Sequence, residues 1–233
     1  MLTKRDIQSL IDECRIVAES GLGNGTKATI KELELDFLTP PADFLGIDNN
    51  PAIFINLHTF KLLGKLHEKW LVNKTIAVKE NFLQNNPITV IGIIVHETGH
   101  AFNVAANIPN SEANAYIFEI EVLSRWFQMK HPLLFNLSYE DLHSFFLSRL
   151  HYYRMETKNN HYLQQLVLKI ENHGVLDIQK KVPVHTKTSK MHLPQFIIPT
   201  PKVQNKTPLF FFKRSVSLNI EISLHSIHVD LND

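Results

Sequence analysis

The residues best spaced for chemistry are His96-Glu97-Thr98-Gly99-His100. In a helix, residues four apart lie one above the other on the same face. His96 and His100 therefore present two imidazoles to one point, where a single cation can take both. Glu97 is turned about 100° from His96 around the axis. That is too far to join the same grip but within reach of a water beside the cation. The chemistry this spacing predicts is metal-assisted hydrolysis, with a carboxylate to take the proton of an attacking water. Two hydrogen-bonded core histidines would show the same spacing, so the flanking segment has to decide.

The flanking segment is an apolar stretch from Ile88 to Ala106. Asn86-Pro87 supplies an N-cap followed by proline at the first helical position, and the pattern predicts a helix over 87–107. From Ile88 to Val95 it is apolar on all sides, so it should run through a core. Burying two histidines and a glutamate at its far end is costly unless they have partners. A bound metal ion would supply them.

The remaining elements must position this helix. Thr3 and Asp6 have capping-box spacing and predict a helix over about 4–20, with Gly21 after its end. Residues 30–38 alternate as a half-buried strand; 53–57 and 75–78 are two further strands. Residues 59–70 read equally as helix or hairpin arm. Ser111 can cap a helix reaching about Met129, which His131-Pro132 ends. Ser138 with Asp141 repeats the capping-box spacing for a helix to about Met155, and 162–170 is amphipathic. Residues 181–208 hold five of the eleven prolines, a linker or surface strap. Residues 216–231 alternate as one or two strands; Phe210, Phe211 and Phe212 before them are read as a strand packing on the core, with a partner-binding patch as the alternative. The expected class is α+β: a small N-terminal sheet on the motif helix, mostly helix after it, and a C-terminal β segment. The expected division is a domain over 1–175, a linker over 176–208 and the β segment over 209–233.

His96-Glu97-x-x-His100 matches H-E-x-x-H, and the chain resembles the zincin metallopeptidases. A hydrolytic zinc normally has three protein ligands and keeps a position for water. The metzincin extension fails, because Asn103 stands where its glycine should be and Ala106 where its third histidine should be. An aspartate ligand nearby fails too, since none occurs between Asp48 and Asp141. The next predicted helix offers Glu112, Glu119 and Glu121, so over about 75–130 the chain resembles a gluzincin, with one Zn²⁺ held by two His and one Glu. If the motif helix runs to about Ala106, the return helix must climb about 9–12 Å, or roughly six to eight residues. That favours Glu119, which lies nineteen residues after His100, a spacing similar to that of gluzincin aminopeptidases. Glu112 is the alternative: Ser111-Glu112-Ala113-Asn114-Ala115 resembles the Glu-Ala-Asn helix of other H-E-x-G-H peptidases. An early break in the motif helix would bring it within reach. Otherwise it is a first-turn acid favoured by the helix dipole, or the partner of a histidine Nδ1–H. Glu121 is turned about 200° from Glu119 and should face away.

The resemblance implies a zinc endopeptidase in which Glu97 is the general base. A donor for the developing oxyanion is then needed, with Tyr116 and Tyr153 put forward first and His143, His151 and Tyr152 behind them. Substrate would lie extended along an edge strand, for which 75–78 is the expectation.

Composition narrows the setting. A net charge of +1 gives no reason to expect nucleic acid or an anionic membrane as partner. Cys14 is the lone cysteine, which excludes an internal disulfide and a cysteine zinc site. The N-terminus lacks a signal-peptide apolar region, and no run has the length of a membrane span. The expectation is a soluble protein of a reducing compartment: the bacterial cytoplasm, or a host cytoplasm reached without a cleaved signal. In motif placement and character the chain is similar to bacterial effector metalloproteases, which implies a protein substrate such as host cytoskeletal actin. The alternative is a non-catalytic, zinc-binding regulatory protein on a zincin scaffold. Glu97 separates the two, because catalysis needs it and coordination does not. An aminopeptidase is a third reading, for which no motif gripping a free N-terminus is recognisable.

Overall fold

Capping residues set the helix boundaries. The computed structural model describes residues 2–46 and 50–172. Helix α1 (Lys4–Ser20) opens with the Thr3–Asp6 capping box, each side chain taking the other's backbone N–H. Strands β1 (Glu34–Leu38) and β2 (Ala52–Phe54) follow. The first is shorter than its alternation predicts, because its ladder partner offers five residues. The second stops because Asn56 caps α2 (Leu57–Leu63), its Oδ1 accepting from Thr59 N at 2.8 Å. The ambiguous stretch is thus a short helix followed by a 3-10 turn, Gly64–Leu66.

Strand β3 (Thr75–Lys79) lies in the middle of the sheet, order β1-β3-β2, parallel to β1 and antiparallel to β2. All five of its residues are buried. Ile76 and Val78 join the main core, while Ala77 packs on the other face with Leu38, Leu45, Ile55 and Trp70. The segment expected to be a free edge therefore is not one: both of its sides carry a ladder. The edge nearest the motif helix is β2.

Helix α3 (Pro87–Ala105) carries the motif. Its first half is rich in β-branched residues, which are weak helix formers. Burial rather than propensity holds it: α1, β2, α4 and α5 all pack on it. Asn86 Oδ1 accepts from Ile88 N at 3.1 Å, and Pro87 occupies the first turn. The helix ends in a Schellman turn. Asn107 has a left-handed φ of 54°, its N–H donates to Val104 O, and Ile108 N donates to Asn103 O.

Helix α4 (Glu112–Gln128), capped by Ser111, returns along α3. The two approach closely at Gly99, where an added Cβ would lie 3.1 Å from both Cα and O of Ala115. Helix α5 (Tyr139–Glu156) opens with the Ser138–Asp141 capping box, and α6 (His161–Glu171) packs on α4 and α5. Phe145 of α5 fills the space beside Gly92 of α3, where a Cβ would come within 2.0 Å of its ring.

The described residues are α+β, mostly helical with one three-stranded sheet. None of their helices is long and apolar enough to cross a membrane. The expected linker over 176–208 and β segment over 209–233, with Phe210 to Phe212, lie outside the described residues.

Candidate metal centre

His96 and His100 project from the last turns of α3 towards the first turn of α4. His96 Nε2 lies 3.1 Å from Glu112 Oε2, and His100 Nε2 lies 3.4 Å from Glu112 Oε1. The three side chains form a group that can hold a metal ion, with ligand atoms all within 4.8 Å of one another. The histidines are largely buried, while the Glu112 side chain is 39% exposed, so the group opens to solvent on the glutamate side.

The far nitrogens also face oxygens. His100 Nδ1 lies 2.8 Å from Asn110 Oδ1. His96 Nδ1 lies 3.1 Å from Glu119 Oε2, at ion-pair distance but without hydrogen-bond alignment. An acceptor beside Nδ1 favours the tautomer with the proton there, which leaves Nε2 a lone-pair donor. Both lone pairs then face the same carboxylate. Without a cation, that convergence favours protonated imidazole. Burial opposes the charge on His96, but Glu112 and Glu119 outweigh it and carry its pKa to about 10. Burial also opposes ionisation of Glu112, yet His100 and His96 hold its carboxyl well below the usual range. Positive charge is thus favoured at this point, as metal occupancy requires.

Glu97 faces the sheet. Ile55 N donates to Thr75 O and Lys79 N to Pro51 O, so residues 51, 53 and 55 turn towards β3. By ladder alternation Phe54 turns away, and its N–H donates to Glu97 Oε2 at 2.7 Å. The edge strand thereby fixes the carboxylate. Burial raises the Glu97 pKa, against the lowering effect of His96 and His100, a shift towards the range that suits a general base.

The structure places Glu119, the expected third ligand, behind the histidines. Arg149 Nε and Nη2 donate to its two oxygens at 2.8 and 3.0 Å, and Tyr153 O–H donates to Oε1 at 2.6 Å. Breaking such a buried pair by removing one partner costs on the order of 3–5 kcal/mol, so the carboxylate is committed there. Glu112, not Glu119, joins His96 and His100 in the group that could hold a metal ion. The count of helical residues failed because the six-residue loop between the helices does the climbing. Asn103, inside α3, donates through Nδ2 to Ser111 O at 3.4 Å, and Asn110 is already level with His100. Helix α4 thus begins at the site, and Glu119, two turns on, lies past it.

Glu121 faces away, as expected. It accepts from Gly23 N and from Tyr162 O–H, tying α4 to the turn after α1 and to α6. Tyr116 packs its ring 4.7 Å from that of His96. Burial raises its pKa, and the nearby Glu112 adds to this, so it keeps its proton at neutral pH. Tyr153 is fully buried and spends its hydroxyl on Glu119, which removes it as a donor to substrate. His143 is buried with Nε2 2.9 Å from Ile170 O, while His151 and Tyr152 pack edge to face along α5. Asn103, Asn110 and Arg149 were not singled out from the sequence as site residues. Arg149 did leave a signal: it falls on the apolar stripe of Leu142, Phe145, Phe146 and Tyr153, where a charge needs a buried partner.

Comparison with known proteins adds no relative: no family model, curated protein or solved structure matches the chain.

Proposed function

We propose that this chain is a zinc-dependent endopeptidase on a zincin-like scaffold, with His96, His100 and Glu112 as ligands and Glu97 as general base. One observation carries the reading: two imidazole Nε2 atoms and a carboxylate converge on one point at the solvent-facing end of a buried helix, beside a buried carboxylate. Two nitrogens and one oxygen form a donor set found in catalytic zinc sites. When bound, zinc acidifies a water and polarises a carbonyl.

The chain's own residues supply the rest. Glu97, fixed on Phe54 N–H, takes the proton of the attacking water and passes it to the leaving amine. Tyr116, whose ring packs 4.7 Å from that of His96 and whose hydroxyl keeps its proton, would supply the donor for the developing oxyanion. The similarity in motif placement to bacterial effector metalloproteases makes a host cytoskeletal protein such as actin the first substrate to try.

The test compares new protein N-termini in a eukaryotic lysate treated with wild type or with Glu97→Gln, which keeps an acceptor for Phe54 N–H. The expected result is a small set of cleavages, abolished by a chelator and slowed about 10²–10⁴-fold by the substitution, with zinc content unchanged. If wild type holds zinc and yet cleaves no more than Glu97→Gln does, the regulatory, non-catalytic reading takes over.

A further inference from the structure

Glu119 has no place among the ligands, yet it is the most enclosed acid near the site, with no exposed surface. It sits on α4 between two groups from different helices. On one side is His96 Nδ1, which has no aligned hydrogen-bond partner in its enclosed position and lies 3.1 Å from Glu119 Oε2. On the other is Arg149 of α5, which grips both carboxylate oxygens, with Tyr153 O–H on Oε1. The guanidinium is itself boxed by Tyr116, Phe145 and Tyr153, whose ring centres lie 5.5, 5.7 and 5.9 Å from Cζ. Phe145 in turn is seated against Gly92, one turn before His96 on α3.

A carboxylate held this way has little freedom. Its fork to Arg149 sets the plane, Tyr153 fixes one oxygen, and the other oxygen is left towards the imidazole. His96 Nδ1 lies 3.1 Å from that oxygen, within reach of a hydrogen bond. The partner on the second nitrogen sets both the tautomer and the direction of the ligating one. His100 gets this from Asn110, on an exposed loop; the group beside His96 Nδ1 is a buried, charge-compensated acid.

We propose that Glu119, clamped by Arg149 and Tyr153, is a positioning residue of the metal centre: it holds His96 in the Nδ1–H form and aims Nε2 at the point shared with His100 and Glu112. The proposal rests on the reading of that group as a metal site, and it makes α5, which contributes no ligand, part of the centre. A purely structural role for the buried pair would affect folding alone.

The test is the zinc affinity of the full chain, by competition with a chromophoric chelator, together with the visible spectrum of the Co²⁺-substituted protein. Wild type is compared with Glu119→Gln and Tyr153→Phe. Glu121→Gln, which removes a buried carboxylate from the other side of α4, controls for lost stability. The expected result is a loss of zinc affinity of about 10–100-fold in Glu119→Gln, with shifted Co²⁺ bands. A loss of about threefold is expected in Tyr153→Phe, on the scale of one hydrogen bond, and none in Glu121→Gln. A folded Glu119→Gln with wild-type affinity and spectrum overturns the proposal. Should Glu119→Gln not fold, Tyr153→Phe decides, and an unchanged affinity and spectrum there overturn it equally. A wild type that binds no zinc removes the metal-centre reading itself; zinc binding indifferent to Glu119 removes only this inference.

Discussion

Glu112 and Glu119 are the same side chain on the same helix, seven residues apart, and their surroundings give them different chemistry. Glu112 is half exposed in the first turn, and the two histidines hold its carboxyl well below the usual range. Glu119 is sealed in, and there Arg149 outweighs the cost of burial to keep it ionised. The outer acid is free to meet a cation, whereas the inner one has both oxygens engaged. Glu112→Gln should therefore weaken zinc binding by more than the roughly 10–100-fold typical of groups behind the ligands. Equilibrium competition with a chelator measures this. An affinity within threefold of wild type would exclude Glu112 as a ligand.

At the scale of elements, the site depends on how closely α3 and α4 can pack. Gly99 lies inside the motif itself, and its missing side chain lets the backbone of Ala115 come near. A methyl group there would meet backbone Cα and O as well as Phe118 Cβ, all at 3.1 Å, and backbone yields less readily than a flexible side chain. Gly99→Ala should cost about 1–3 kcal/mol through overpacking, despite the better helix propensity of alanine. Because the helices part beside Glu112, zinc affinity should fall with it. Urea unfolding and chelator competition on the same samples check both. A Gly99→Ala protein as stable as wild type would mean that the interface has slack there.

Across the whole molecule, α4 is fastened on both sides. One side faces the histidines; on the other, Arg125 donates to Ser20 Oγ and Gly21 O, and Glu121 holds Gly23 N. Stability should follow pH through the capping boxes at the starts of α1 and α5. Backbone hydrogen bonds from Thr3 and Ser138, with their hydroxyls second, lower the Asp6 and Asp141 carboxyls below 3.8. A depressed folded-state pKa gives stability that is present above the unfolded value and is lost as pH falls through the folded one. The double variant Asp6→Asn, Asp141→Asn should thus lose less stability than wild type between about pH 4 and about pH 2. Urea midpoints across that range test it, and parallel curves would count against the caps as the source.

Most of the helices were legible in the sequence because their signals are local. Thr3, Asn86, Ser111 and Ser138 each act on backbone groups two or three residues away, so their effect does not depend on the rest of the fold. The pairing of His96 with His100 was legible for the same reason, since one helical turn sets it. Which acid joins them was not, because it depends on the path of the loop after α3. A left-handed Asn107 and the Asn103 side chain bend that loop back up, and no count of helical residues contains it. The place of β3 was equally hidden: a short strand reads alike at the edge or the centre of a sheet until its neighbours are known. Sequence alone thus determined that two imidazoles and a carboxylate occupy one helical turn. Only the tertiary structure decided which acid faces them and which one stands behind, because that choice depends on long-range packing between helices and not on spacing within one.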